Sequence, residues 1–171
     1  MTTHATPENT APEAGGAGTA GTAGTANTAG TMADSTATTA FRERIARVDA
    51  EAEARAAQRQ HPKGKATARE RIDSLLDDGT FLEIGRYTGS GAGDKARPSG
   101  VVTGFGQIDG RQVAVYSQDF SVSGGALGSV EGDKIVRLLD DALRLRIPVV
   151  GLIDSGGAKI QEGVGALRQY G

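Results

Sequence analysis

The spacing of apolar residues predicts two helices in the first half of the chain. Within residues 40–60 they recur three or four apart, with Arg and Glu between them, at Phe41, Ile45, Val48 and Ala52. This spacing is typical of an amphipathic helix that packs on its own domain or on a neighbouring subunit. Thr67 and Glu70 then stand three apart ahead of a second apolar set, which is the pattern of a capping box. We expect a short helix to begin there and to end at Asp78-Gly79.

The pattern changes to that of β-strands after this helix. Residues 81–84 are predicted to form a brief strand, and residues 87–98 a glycine-rich surface connection. Two later apolar runs flank the pair Asp109-Gly110, which is a strong indication of a β-hairpin. Gly104 and Gly106 lie within the first of these runs and indicate either a bulge or a close backbone neighbour.

A glycine-rich loop, residues 117–128, follows the second hairpin strand and leads into a third predicted helix. The apolar positions expected to face the core from that helix are Ile135, Val136, Leu139, Ala142 and Leu143. Pro148 closes the helix, and the apolar run from Val149 predicts a buried strand. Strand, helix and strand in this order predict a βαβ unit with parallel strands and a right-handed crossover. The two segments that follow these strands should therefore meet at one edge of the sheet, where open α/β structures bind ligands.

The last predicted strand ends at Asp154-Ser155-Gly156-Gly157, where a new helical pattern is expected to begin. Adjacent glycines let a backbone approach a ligand closely, and the first amides of a helix lack carbonyl partners within that helix. We call residues 154–158 the corner. It could hold a phosphate, a carboxylate or the oxyanion of a thioester enolate. Lys159 could strengthen such a site or pair with Glu162 or Asp154, and Asp154 or Ser155 could simply cap the helix.

Other chemistries fit these glycine-rich segments poorly. The loop of residues 117–128 lacks a Walker pattern, since Lys134 lies too far along the chain, and it lacks a dinucleotide fingerprint. A plain turn therefore remains an open alternative for the loop. Ser155 is not in a nucleophile elbow, because Ile153 stands where a glycine is required. The two histidines of the sequence, His4 and His61, are remote from it in the chain.

Composition divides the chain into two parts. Residues 1–39 are almost wholly Ala, Thr, Gly, Pro and Asn, which predicts a disordered low-complexity tail. Residues 40–171 are close to electrical neutrality, and this argues against nucleic acid as the main partner. The sequence has no cysteine for disulfides, thiol nucleophiles or zinc ribbons, and no apolar run reaches the roughly 18 residues of a membrane span. We expect a cytoplasmic protein, and a truncated domain over residues 40–171 because a helical pattern is still open at Gly171.

Four motifs occur in order over most of the second part. They are G-K-A-T-A-R-E-R-I-D-S-L-L-D-D-G-T-F from Gly64, G-V-V-T-G-F-G from Gly100, S-Q-D-F-S-V-S-G-G-A-L-G from Ser117 and D-S-G-G-A-K-I-Q-E-G-V from Asp154. In these motifs, residues 64–171 resemble the carboxyltransferase β-subunit of biotin-dependent acyl-CoA carboxylases. The resemblance is to the propionyl-CoA and acetyl-CoA carboxylase branch more than to the methylcrotonyl branch.

The resemblance implies a crotonase-like (ClpP/crotonase) α/β fold, a superhelix of ββα units that is incomplete here and is preceded by N-terminal helices. It implies transfer of CO2 from carboxybiotin to the α-carbon of a short acyl-CoA, propionyl-CoA or acetyl-CoA. The biotin would be carried by a partner, the biotin carboxylase and biotin carboxyl carrier subunit. The resemblance further implies a homo-oligomer of the full-length subunit, a biotin side that lies beyond Gly171, and no metal bound by this chain.

The resemblance also assigns site residues. The amides of Gly156 and Gly157 match the donors that hold the thioester oxyanion. The residues that match the acyl-CoA site are Ser121, Val122, Ser123, Gly124, Gly125, Ala126, Ala158 and Lys159. Two departures from the commoner pattern occur near these positions. Lys159 stands where most relatives have Arg, and residues 129–131 read Ser-Val-Glu where Glu-Val-His is commoner.

Two other functions stay open on the sequence. Another crotonase-superfamily acyl-CoA enzyme, a hydratase or a decarboxylase subunit, would place carboxylates at the reacting carbon, and only Asp154 and Glu162 lie near the corner. The other alternative is a non-catalytic CoA-binding or assembly module. Since members of the resembled family are several times longer, we expect these 171 residues alone neither to turn over substrate nor to fold well.

Overall fold

The computed structural model describes residues 36–90 and 97–168, which belong to one compact unit. Residues 1–35, most of the expected tail, lie outside the described residues. The helices are α1 (Thr36–Gln60), α2 (Ala68–Leu75), α3 (Ser129–Leu145) and α4 (Val164–Leu167). The strands are β1 (Leu82–Ile84), β2 (Gly89–Ser90), β3 (Arg97–Pro98), β4 (Val101–Ile108), β5 (Arg111–Gln118) and β6 (Val149–Leu152). Short 3₁₀-helices occupy His61–Lys63, Ser123–Gly125 and Ile160–Glu162. Within the described ranges, no helix has the length and apolar character needed to cross a membrane.

The first helix is longer than predicted, and its buried face only partly matches the predicted one, since Ile45 and Ala52 are partly buried. It begins at Thr36, inside the stretch that composition assigned to the tail. Phe41 and Val48 of the predicted apolar face are 62% and 49% exposed, whereas Ala56 and Gln60 near the end of the helix are buried. α1 therefore meets the rest of the described protein most closely at its C-terminal turns.

The predicted capping box begins α2. Thr67 Oγ1 accepts from the Glu70 amide at 3.2 Å, and the Glu70 carboxylate accepts from the Thr67 amide at 2.8 Å. The amphipathic helix that follows packs one face on the sheet. The buried cluster formed there contains Ala68, Ile72, Leu76, Val102, Val113 and Val115.

The predicted hairpin is confirmed and lies in a sheet of order β1-β4-β5-β6. Asp109 and Gly110 join β4 to β5 with φ of 51° and 73°, the left-handed conformation that Asp-Gly turns favour. Close neighbours, and not a bulge, account for the glycines of β4. A Cβ on Gly104 would lie 2.5 Å from the Leu82 carbonyl oxygen, and β4 pairs with β5 without interruption.

The predicted parallel unit is also confirmed, because β5 and β6 pair in parallel from Ala114↔Val149 to Ser117↔Leu152. α3 connects them, and its buried face agrees with the predicted one at Ala142 but not at most of the other predicted positions. Leu138 and Ala142 pack on Ala114, while Val136, Leu139 and Leu143 are exposed. The order β4, β5, α3 is the ββα repeat that the resemblance implied, and β6 begins the next repeat.

Candidate functional site

The chain beyond β6 does not enter a helix, so the prediction of a strand-to-helix corner is wrong. Residues 153–157 have no regular secondary structure, and Ala158 forms an isolated parallel bridge with Leu127. A 3₁₀-helix and the short α4 follow. Gly156, Gly157 and Gly163 lower the helix propensity of this stretch, and Gly157 has φ of 115°. The amides of the corner are therefore positioned by contacts between two loops and not by a helix terminus.

The glycine-rich loop and the corner lie side by side, as the parallel unit requires. The Leu127 amide donates to the Gly157 carbonyl at 2.9 Å, and the Lys159 amide donates back to the Leu127 carbonyl at 2.8 Å. The Gly156 amide donates to the Gly124 carbonyl at 2.8 Å. These three bonds bring the predicted acyl-CoA residues and the predicted oxyanion residues into one site.

Gly125 permits this close approach. Its φ is 64°, and a Cβ at this position would lie 2.1 Å from the Asp154 carbonyl oxygen. Any side chain here would push the loop away from the corner. Gly125 thus contributes through the space that it leaves, which no spacing argument on the sequence alone could show.

The two predicted oxyanion donors have protein acceptors in this structure. The Gly156 amide is bound to the Gly124 carbonyl, and the Gly157 amide donates to Ser155 Oγ at 3.0 Å. The Ala158 amide has no hydrogen-bond partner in the described part of the chain. Ala158 can therefore donate to a ligand without giving up a bond. The Gly157 amide would give up only its hydrogen bond to the Ser155 hydroxyl, and a hydroxyl can rotate away.

Asp154 anchors the corner to the segment that follows α1. Lys65 Nζ lies 2.9 Å from Asp154 Oδ1, and Gln60 Nε2 donates to Oδ2 at 3.2 Å. Burial opposes ionisation of this carboxyl, but the hydrogen bond and the charge of Lys65 outweigh it and hold the pKa of Asp154 below its usual value. Asp154 is thus an ionised structural anchor, and it does not cap a helix.

Lys159 pairs with neither of the partners that the sequence offered. Its Nζ lies 2.7 Å from Glu131 Oε2, and the Glu131 side chain is 1% exposed. Glu131 stands in the first turn of α3, far from Lys159 in the chain. Only the fold brings the two residues together, so sequence spacing could not find this pair.

Glu162 binds the same end of α3 through a different contact. Its Oε2 accepts from the Ser129 amide at 2.7 Å and from the Ser129 hydroxyl at 2.9 Å. The backbone hydrogen bond is the main reason that the pKa of Glu162 is lowered. Glu162 therefore lies at the N-terminus of α3, a helix that is distant from it in the chain.

A cavity of about 1000 Å³ opens beside both loops. The predicted site residues on its wall are Ser121, Val122, Ser123, Ala126, Ala158 and Lys159. The predicted glycines are described but do not line the cavity; these are Gly124, Gly125, Gly156 and Gly157. The structure therefore divides the predicted residues into those that face the space and those that fix its wall.

Ion pairs that sequence analysis did not single out form another part of the cavity wall. Arg69 binds Glu83 through two bonds of 2.6 and 2.8 Å and also contacts Glu53. Arg86 lies 2.9 Å from Asp49 and 3.1 Å from Glu83. These charges largely cancel, so this part of the wall is polar but not strongly cationic.

Three further cations line the cavity. Arg55 has no ion-pair partner in the described ranges, and Arg59 donates to the Ser121 carbonyl oxygen. Arg55 and Arg59 are four residues apart, so both lie on one face of α1, and this spacing is visible in the sequence. Lys134 is buried and donates to the Val101 carbonyl at 2.7 Å, and burial lowers its pKa to about 8.

Residues 59–171 match the family model of the carboxyl transferase domain. A propionyl-CoA carboxylase beta chain from Saccharopolyspora erythraea is 56% identical over 122 residues, which are 68% of this chain and 22% of that protein. A methylmalonyl-CoA decarboxylase subunit alpha from Propionigenium modestum is 51% identical over 120 residues, 67% of this chain and 23% of that protein. The chain thus spans less than a quarter of the length of these curated relatives.

Solved structures share the fold. The crystal structure of transcarboxylase 12S, a hexamer with methylmalonyl-coenzyme A and methylmalonic acid bound, matches with a TM-score of 0.63 and 40% identity. That match covers 74% of this chain and 28% of the transcarboxylase chain. The beta subunit of geranyl-CoA carboxylase from P. aeruginosa matches with a TM-score of 0.65 and 30% identity, over 78% of this chain and 26% of its own.

Proposed function

Since the chain belongs to the carboxyl transferase domain family and has its crotonase-like fold, we propose that it forms the acyl-CoA side of a carboxyltransferase. The reaction is transfer of CO2 from carboxybiotin to the α-carbon of propionyl-CoA or acetyl-CoA, giving methylmalonyl-CoA or malonyl-CoA. The observation that carries this proposal is the contact of the glycine-rich loop with the corner beside the cavity, through Gly124 and Gly156 and through Leu127 and Ala158.

The corner holds the thioester oxygen. Removal of the α-proton moves negative charge onto this oxygen, and backbone N–H groups fixed in advance stabilise that charge. We assign this role to Gly156 and Gly157, together with Ala158, whose amide has no partner within the described residues. To bind the oxyanion, the Gly157 amide would give up its hydrogen bond to the Ser155 hydroxyl. The Gly156 amide would give up its hydrogen bond to the Gly124 carbonyl.

The cavity beside the corner takes the CoA portion of the substrate. The loop from Ser121 to Ala126 supplies one wall, and α1 supplies Arg55 and Arg59 on another. Lys159 belongs to the first wall, but its ammonium is bound to Glu131 and does not contact the substrate. CoA carries phosphates, and a guanidinium is suited to phosphate because it presents several donors in a fixed plane. Arg55, which has no ion-pair partner in the described ranges, is thus placed with Arg59 to bind the charged end of the substrate. Asp49 and Glu53 of the same helix are paired with Arg86 and Arg69.

Carboxybiotin, when bound, supplies the CO2 and accepts the α-proton, so the chain itself needs no catalytic base. This agrees with the state of the nearby carboxylates, since Asp154 is paired with Lys65 and Glu162 is bound to Ser129. The biotin arrives on a biotin carboxylase and biotin carboxyl carrier subunit. The working assembly is a homo-oligomer of the subunit in the cytoplasm.

A second candidate direction is supported by the relatives from Propionigenium modestum and Veillonella parvula, which are named methylmalonyl-CoA decarboxylase subunit alpha. In that case the carboxyl group of methylmalonyl-CoA would pass as CO2 to biotin, the α-carbon would take the proton that biotin gives up, and the same amides would stabilise the same enolate. The Saccharopolyspora erythraea relative, named propionyl-CoA carboxylase, favours the carboxylating direction. Two separate reactions distinguish the two directions. One starts from isotopically labelled propionyl-CoA and the other from labelled methylmalonyl-CoA, and the label is followed into the product.

Gly156→Leu tests the proposed oxyanion corner. A Cβ on Gly156 would lie 3.5 Å from the Gly124 carbonyl oxygen, which is an ordinary contact, so the position has room for the first atom of a side chain. In the natural protein that contains this sequence, we expect carboxyl transfer to fall about 100-fold or more, because the side chain blocks the donors. Melting temperature and binding of the biotin carrier should stay unchanged.

Gly110→Ala is the control for a glycine substitution away from the site, since Gly110 lies in the hairpin turn with nothing within 4 Å of its Cβ position. Its φ of 73° adds backbone strain, so this variant also shows whether a modest loss of stability alone lowers carboxyl transfer. It should leave carboxyl transfer intact. Normal transfer by the Gly156→Leu protein would show that the corner does not hold the oxyanion. Loss of carrier binding together with activity would favour an assembly module instead.

A further inference from the structure

Glu131 joins three segments of the site at one buried carboxylate. Its Oε1 accepts from the Gly100 amide at 3.0 Å, and its Oε2 accepts from the Gly128 amide at 3.1 Å. The same Oε2 accepts from Lys159 Nζ at 2.7 Å. The segment before β4, the end of the glycine-rich loop and the segment after the corner are therefore tied to one side chain that is 1% exposed.

Lys159 supplies the charge that this carboxylate needs. A buried carboxylate is stable in its charged form only when a cation or several donors compensate it. Two backbone amides and the Lys159 ammonium do so here, and no other cation is ion-paired with Glu131 within the described ranges. The Lys159 side chain is itself only 17% exposed, and its ammonium is bound to Glu131.

The position of Lys159 links the pair to the proposed site. Its own amide makes the hydrogen bond to the Leu127 carbonyl that closes the bridge beside Ala158. Glu131 accepts a hydrogen bond from the amide of Gly128. Gly128 directly follows Leu127, the bridge partner of Ala158 on the glycine-rich loop. The side-chain pair therefore clamps the same two backbone segments that the bridge joins.

We propose that the Glu131–Lys159 ion pair is a positioning device that fixes the corner against the glycine-rich loop. Neither residue is a catalytic residue in this proposal. The pair acts by holding the amides at Gly157 and Ala158 in place, and it rests on the proposed function of those amides.

Lys159→Met and Glu131→Gln, singly and together, test the pair in the natural protein. Lys159→Met should lower kcat at least tenfold with KM for the acyl-CoA changed less than twofold, because the donors are displaced but the cavity wall remains. The double variant should be no worse than the worse single variant, since the two residues act as a unit. Lys159→Arg, which retains the charge, should keep most of the activity.

Hydrogen exchange supplies a readout that does not depend on activity. We expect the amides of Gly156 and Lys159 to exchange at least tenfold faster in Lys159→Met, because their bonds to the loop open more often. Arg144→Gln, which removes an exposed ion pair with Asp141, is the matched control and should leave that exchange unchanged. If Lys159→Met does not fold, the double variant is used, since it leaves no unpaired buried charge.

The outcomes separate this inference from the proposed function. Unchanged exchange at Gly156 and Lys159 would overturn the positioning role whatever the activity. A raised KM with unchanged kcat would also overturn it, because Lys159 would then contact the substrate directly. Failure of the unmodified protein to transfer a carboxyl group, with exchange accelerated in Lys159→Met, would refute the proposed function and leave the clamp itself established.

Discussion

Gly124 and Gly125 are adjacent and have similar backbone conformations, with φ of 67° and 64°. Their surroundings differ. Nothing lies within 4 Å of a Cβ position on Gly124, whereas on Gly125 that position is 2.1 Å from the Asp154 carbonyl oxygen. The first glycine is needed only for its backbone conformation, and the second is needed also for the empty space beside it.

Alanine substitutions at Gly124 and Gly125, compared with each other, measure how much the close approach of the loop to the corner contributes to the free energy of unfolding. Gly124→Ala should lower the free energy of unfolding by about 1 to 2 kcal/mol, the strain of a left-handed alanine. Gly125→Ala carries the same strain and in addition about 1 to 3 kcal/mol of overpacking against the corner. Urea unfolding of both proteins checks the order. Equal losses would show that the loop and the corner can separate freely.

At the scale of elements, α3 shows where a sequence pattern is ambiguous. Apolar residues cover more than one side of this helix, and its buried set includes Glu131 and Lys134 as well as Leu138 and Ala142. Spacing alone favoured the side with Val136, Leu139 and Leu143, because it counts charged residues as exposed. The two charged residues are buried since each has partners supplied by other elements, and such partners cannot be seen in the sequence of the helix.

Truncation of one leucine on each side of α3 tests its buried face. Leu138 is 0% exposed and Leu143 is 78% exposed. Leu138→Ala should lower the free energy of unfolding by about 2 to 5 kcal/mol, and Leu143→Ala by no more than about 0.5 kcal/mol. Chemical denaturation gives both values. A larger loss for Leu143→Ala would mean that another surface covers this side of the helix in the natural protein.

Elements defined by local chemistry were predictable from the sequence. The capping box at Thr67, the turn at Asp109-Gly110 and the parallel pairing of β5 with β6 all depend on short-range patterns and on the topology that they require. The path after β6 was not predictable in this way. There the bridge between Leu127 and Ala158 determines the path of the backbone, and that bridge joins segments that are distant in the chain.

At the scale of the whole molecule, the buried Lys134 makes stability depend on pH. Burial lowers its pKa from 10.5 to about 8, against the opposing charges of Glu83 and Glu131, while Arg69 lowers it further. Between these two pH values the unfolded chain binds more protons than the folded protein. The free energy of unfolding therefore rises with pH over this window.

Comparison with Lys134→Met isolates this effect. The substitution removes the titration, so the stability of the unmodified protein relative to the variant should increase from pH 8 to pH 10.5, by at most about 3 kcal/mol. Urea unfolding across that range measures the difference. The exposed Lys63→Met serves as a control for the loss of a lysine side chain at the surface. A flat comparison for Lys134→Met would show that Lys134 titrates normally in the folded protein.

The chain segments after β5 and β6 separate beyond Ser117↔Leu152 and meet again at Leu127↔Ala158. Backbone hydrogen bonds thus fix both ends of each intervening segment. One added or deleted residue in either segment would move the free Ala158 amide away from its place beside the cavity. Outside Gly125, descendants of a common ancestor can therefore change side chains in these segments but not the number of residues. Divergence in substrate range should proceed there by substitution, with insertions confined to turns such as Asp109-Gly110 that lie away from the site.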